Sequence, residues 1–167
     1  MQATKRIAFC GMMTAVGVVL LLLGSFLGIG TYVAPMLAGL LLLPVGKKWG
    51  VKYHVLVWLA VGVLGLILVT DVEEALMFLC FFGWYPILRP RLQRLPGGLQ
   101  WAAKFAVFNL PVIALELLLM LVLVPEDLGA GFLLALLLLG NLTFFLYDLV
   151  TPKAERQLLR RLEPLMK

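Results

Sequence analysis

Four polar residues stand inside long aliphatic stretches in the second half of the chain: Asn109 and Glu116 in NLPVIALELLLMLVLVP, and Asn141 and Asp148 in NLTFFLYD. Each Asn precedes its acid by seven residues, about two helical turns, so each pair lines one helix face. An acid at the centre of a membrane helix costs on the order of 3 kcal/mol, whereas each flanking Leu or Val returns about 0.3 to 0.6 kcal/mol. Such a helix still inserts, but its acid needs a partner or water. Lys104 falls at the depth of Asp148 on the antiparallel neighbour, and an ion pair between them would spare both charges. Asn109 and Asn141 both fall near mid-membrane, where a bond between their amides is worth about 0.6 to 2 kcal/mol. No basic residue can be placed at the depth of Glu116. Glu116 is therefore the leading candidate to meet a ligand or ion, either as a protonated carboxyl bonded within the bundle or as part of a water-filled cavity open to the outside.

The elements that carry these residues follow from composition. Of 167 residues, 63% are hydrophobic and 14% charged, against about 45–50% and about 25% in soluble domains. Several uncharged stretches exceed the roughly 18 residues that mark a membrane span. The reading is an all-α, polytopic integral membrane protein with six spans, at about 7–29, 31–46, 51–69, 73–88, 101–124 and 131–150. The second and fourth are short for a bilayer that needs about 20 residues per helix, which leaves three readings: less tilt, breakage at Pro35 and Pro86, or partial shelter within the bundle.

All 14 basic residues fall on alternate connections: Lys5 and Arg6; Lys47, Lys48 and Lys52; Arg89, Arg91, Arg94 and Lys104; and Lys153 to Lys167. The intervening connections carry Asp71, Glu73 and Glu74, then Glu126 and Asp127. The positive-inside rule puts both termini in the cytoplasm. The net charge of +5 thus marks orientation in a cell membrane rather than affinity for nucleic acid. Two basic residues before an apolar stretch resemble a signal peptide, but about 23 apolar residues exceed the usual 7 to 15, and the stretch reads as a retained first helix.

The domain organisation is a transmembrane unit over 1–152 and an amphipathic tail over 153–167. In the tail, Leu158, Leu159, Leu162 and Leu165 oppose Arg156, Arg160 and Arg161, a pattern suited to the inner membrane face or a cytoplasmic partner. Arg89, Arg91 and Arg94 form a basic loop for lipid headgroups or a partner.

Catalytic motifs fail one by one. LLLPVGKK lacks the first glycine of a P-loop and has Lys48 where Ser or Thr should hold magnesium. Glu73 and Glu74 open the pattern of membrane CAAX-type proteases, but Phe78 replaces its arginine. His54 is the single histidine and reads as a boundary residue beside Tyr53 and Trp58. Cys10 and Cys80 lie in apolar runs without metal-ligand spacing. No Ser has a neighbouring base, so neither an enzyme nor a resident cofactor or metal is expected.

Two stretches, KRIAFCGMMTAVGVVL and YVAPMLAGLLLLPVGKKWGVKYHVLVWLAVGVLG, together with six spans and both ends inside, resemble the substrate-binding S components of energy-coupling factor (ECF) transporters. The resemblance covers roughly the first 70 residues by pattern and the rest by topology. It implies a bundle that captures a small molecule from outside and depends on a transmembrane coupling protein and two ATPases. It further implies a coupling-protein surface at Gly11 and Ala15, with Gly replacing the family's first Ala. Ligand contacts would come from the GIGTYVAP segment with Tyr32, from Trp84 and Tyr85, and from Glu116, with Asn109 and Asn141 on the adjoining stripes. Acidic outer connections favour a neutral or cationic ligand. The alternative is a non-transporting membrane scaffold or assembly factor of the cell envelope. In that reading the polar stripes only hold helices together.

Overall fold

The structure is a computed structural model, and it describes residues 2–27, 30–122 and 130–166. The acidic connection at Glu126 and Asp127, and the start of GIGTYVAP, lie outside the described residues. Everything described is helical or a short connection: α1 (Gln2–Leu27), α2 (Gly30–Leu41), α3 (Leu43–Trp49), α4 (Val51–Leu68), α5 (Val72–Met77), a π-helical turn (Phe78–Phe82), α6 (Tyr85–Leu92), α7 (Gly97–Val122) and α8 (Ala130–Met166). Three helices are long and apolar enough to cross a membrane, over Ala3–Leu27, Val51–Leu68 and Gly97–Leu118. The chain is an all-helical membrane protein. Its outward side chains are aliphatic, as a lipid solvent demands; Leu110 is 78% and Ile67 71% exposed.

Two expected helices are broken. The break in the first comes at Leu42, not Pro35, which sits inside α2. Pro44 opens α3 in the first turn, where its missing N–H is harmless. The break in the second comes at Gly83–Trp84, between the π-helical turn and α6, which Pro86 opens. A break inside the bundle frees carbonyls that are buried from water, and the protein satisfies them with side chains from other helices. Pro86 has no N–H for the Phe82 carbonyl, which accepts from the Tyr147 hydroxyl at 3.3 Å. The next carbonyl, Gly83 O, lies 2.8 Å from His54 Nε2. His54 is only 2% exposed, so it is a buried link between α4 and the break rather than a boundary residue.

Pro152 repeats the device on α8. Its missing N–H frees the carbonyl of Asp148, and Arg89 Nη2 donates to that oxygen at 3.2 Å. Helix α8 therefore runs from the bundle into the tail without interruption. Leu159 and Leu162 of the tail pack on the core cluster of Phe9, Met13 and Val45, and Lys47 pairs with Glu155 at 2.9 Å.

An aromatic core fills the second half of the bundle. Phe81, Phe82, Tyr85, Phe108, Phe144 and Tyr147 are all fully buried. Phe108 and Phe144 stack with centroids 4.8 Å apart, and Phe81 meets both edge-on. The π-helical turn places Phe81 and Phe82 on this core together.

Candidate functional site

The polar residues inside the bundle separate into one group that is fully partnered and a second, at Glu116 and Glu74, that is not. Asp148, 3% exposed, is the hub of the first group. Its Oδ2 accepts from Lys104 Nζ at 2.6 Å, and its Oδ1 accepts from Arg89 Nε at 2.8 Å and from the Tyr85 hydroxyl at 2.7 Å. Lys104, 1% exposed, also lies over the Trp101 ring at 4.6 Å. Gln93, with its side-chain oxygen toward Arg89, accepts from both Nη atoms at 3.0 Å. Helices α6, α7 and α8 are thus tied at one point, which carries two cations and one anion. None of its buried side-chain polar atoms lacks a partner, so the arrangement suits holding helices together.

Arg89 corrects the sequence reading. It was expected in a basic loop facing headgroups, yet it is 8% exposed and turned into the bundle. The signal was present: Arg89 follows Tyr85 by four residues, so helix geometry puts both on the face that meets Asp148.

Mid-bundle, Asn109 and Asn141 donate to each other's side-chain oxygen, both at 2.8 Å, and each also donates to the carbonyl four residues earlier in its own helix. Their hydrogen-bonding capacity is spent between α7 and α8. Trp84 and Tyr85 are likewise occupied: the Trp84 indole N–H donates to Cys80 O at 2.6 Å, and the Tyr85 ring is part of the aromatic core.

The second group is built from α2, α5 and α7. Asp71 caps α5, accepting from the Glu73 N–H at 3.1 Å, and its own N–H donates to Ser25 Oγ at 3.0 Å. That cap points Glu73 and Glu74 into the bundle from the first turn of α5, where the helix dipole favours acids. Glu73 and Glu116 are close enough for their charges to interact, and both act on the Tyr32 hydroxyl. The Tyr32 ring rests against Gly140 of α8. Three helices thus direct two acids and a phenol toward one region.

Glu74 lies on the other side of α5. It is fully buried against Gly24 of α1 and Ala34 of α2, where a side chain on Gly24 would collide with its carboxyl. Among the described residues, both Glu74 oxygens and Oε1 of Glu116 are buried without a hydrogen-bond partner, and no basic group pairs with either residue. A buried polar atom with no partner ordinarily costs about 1–3 kcal/mol. Sequence reasoning found Glu116 and missed Glu74, because a tandem acid pair at a helix start reads as a solvated cap.

At the opposite end of α1, Gly11 and Ala15 are both exposed, and space beside Gly11 is open. Gly11 lies in an apolar groove of about 280 Å³ between α1 and α4, which Ile7, Thr14, Leu56 and Val57 also line. Among the described residues, no cluster of three or more His, Cys, Asp or Glu has the geometry of a metal site.

Together these features define a membrane protein, all-helical over its described residues, with a satisfied polar cluster at Asp148 and an acidic, unsatisfied one at Glu116 and Glu74. Compared with known family models, curated proteins and solved structures, the chain matches none.

Proposed function

We propose that this protein is the ligand-capturing component of a membrane transport system. In this reading six segments cross the cell membrane with both termini in the cytoplasm. The broken pairs α2 with α3, and α5 with α6, each serve as one span, since each covers about the 20 residues a bilayer requires. A small neutral or cationic molecule enters from the outer side and is held by Glu116, Glu73 and the Tyr32 hydroxyl. Energy comes from partners, a transmembrane coupling protein and ATPases like those of the ECF systems whose S components the chain resembles. The exposed surface at Gly11 and Ala15 is where the coupling protein packs, since small residues allow close helix approach in lipid.

One observation carries the reading: the inner carboxylate has three donors around it, whereas carboxyl oxygens of the outer acids have none among the described residues. A fold that satisfies Asp148 so completely gains nothing structural from leaving Glu116 bare. A ligand that donates hydrogen bonds or carries positive charge would supply what is missing.

The second reading, a non-transporting scaffold, draws on the inner cluster and the Asn pair, which are complete as helix-to-helix fasteners. Mass spectrometry of small molecules retained through purification separates the two. Wild-type protein is expected to carry a specific small molecule, and Glu116→Gln to lose at least ten-fold of it with its melting temperature unchanged. Equal retention by both proteins, or none by either, would favour the scaffold.

A further inference from the structure

The outward face of α8 changes chemistry without changing direction. Leu139, Leu142, Leu146 and Leu149, each about half exposed, recur at alternating steps of three and four residues. The same steps continue through Lys153, Arg156 and Arg160. The buried face runs on in parallel, from Gly140, Phe144, Tyr147 and Asp148 through Thr151 to Leu159 and Leu162, which pack on the core. One straight stripe is therefore aliphatic up to Val150 and basic from Lys153.

Lys153, Arg156, Arg160 and Arg161, with Gln157, line a groove of about 450 Å³. Among the described residues none of the four cations has a carboxylate partner, because Glu155 is taken by Lys47. Four like charges held on one docked helix repel each other, and an anion placed among them relieves that repulsion. Arginine pairs add the forked geometry that matches phosphate oxygens.

We infer that this groove binds the phosphate headgroup of an anionic phospholipid in the inner leaflet. Continuity of the stripe identifies the occupant: the face that meets acyl chains at Leu146 and Leu149 meets headgroups one turn later. A bilayer has about 5–8 Å of headgroup on each side of its hydrocarbon, and Lys153 to Arg161 spans about 12 Å. The long basic stems reach back toward the interface across the difference. The inference rests on the six-span topology proposed above and is independent of ligand capture.

The test is native mass spectrometry of the full-length protein in detergent, with phosphatidylcholine and phosphatidylglycerol supplied equally. Wild type is expected to retain phosphatidylglycerol selectively. Each basic residue near an anionic surface contributes about five-fold, so Arg156→Gln, Arg160→Gln and Arg161→Gln combined should lower that retention on the order of 100-fold. The three Arg→Lys changes should keep most of it, and Arg91→Gln with Arg94→Gln should leave it unchanged. Unselective retention by wild type, or undiminished retention by the Gln variant, would overturn the inference. So would displacement of the lipid by inorganic phosphate, which would make the groove a site for free phosphate. A reporter fused after Lys167 reads the topology separately: lost selectivity with a cytoplasmic reporter defeats the headgroup site alone.

Discussion

Asp148→Asn is expected to remove most of the protein's stability. The substitution keeps the side chain's size but leaves Arg89 and Lys104 buried beside each other without their shared anion. Breaking a buried ion pair by removing one partner costs about 3–5 kcal/mol, a large part of the about 5–15 kcal/mol that holds a typical protein folded. The bond from the Tyr85 hydroxyl and the bond from Arg89 to the carbonyl that Pro152 frees are weakened as well. Lys104→Met should behave differently. It leaves Asp148 with Arg89 at 2.8 Å, a balanced pair, and a thioether in place of a 1% exposed ammonium. Replacing buried charge with packed apolar volume is often neutral or stabilising. Melting temperatures in detergent should rank wild type and Lys104→Met close together and Asp148→Asn far below. If Lys104→Met proved the worse of the two, the cluster's charge balance would have been misjudged.

Gly39→Ala should also be damaging, although alanine ordinarily improves a helix interior by about 1 kcal/mol. A methyl group on Gly39 would run into the backbone carbonyl of Phe82 and crowd the Tyr147 hydroxyl, 3.1 Å away. That carbonyl is fixed by the π-helical turn and by its bond from Tyr147, so it cannot step aside. Overpacking of this kind costs about 1–3 kcal/mol. Gly11→Ala is the matched control, because nothing lies within 4 Å of its added carbon. Thermal unfolding should show a clear loss for Gly39→Ala and no loss for Gly11→Ala. Equal effects would mean that α2 does not press on the turn as closely as the geometry requires.

These two positions also show which parts of the molecule are legible in the sequence. The ion pair of Lys104 with Asp148 and the mutual bond of Asn109 with Asn141 follow from two regularities, seven-residue spacing on one helix and matched depth on its antiparallel neighbour. Membrane residence and all-helical structure follow from composition, because only closed hydrogen bonding survives in lipid. The breaks do not follow. Proline was the visible signal, yet Pro35 is absorbed inside α2, while Leu42 and Gly83 mark the interruptions. Their positions depend on which freed carbonyl finds a donor: Phe82 O has Tyr147 and Gly83 O has His54, both distant in sequence. Tertiary partners of that kind leave no local trace.

Glu74 and Arg89 were misread for a related reason. Each belongs to a run of charges at a helix end, where solvation is the ordinary expectation, and each is drawn inward by a cross-helix feature. For Arg89 the feature is Asp148. For Glu74 it is the small pair Gly24 and Ala34, which leaves room for a carboxyl and offers it no hydrogen bond. The basis for proposing ligand capture at Glu116 is the parallel contrast between Asp148, whose carboxylate is answered, and Glu116, whose Oε1 is not.

The most direct test of that placement uses Glu116→Cys in a background with Cys10→Ala and Cys80→Ala, labelled on intact cells with a membrane-impermeant maleimide. An outward-facing site requires that residue 116 react from outside, at a rate well above that of a cysteine placed at lipid-facing Leu117 next to it. No reaction from outside, or reaction only after the cytoplasmic face is opened, would contradict an outer ligand site at Glu116.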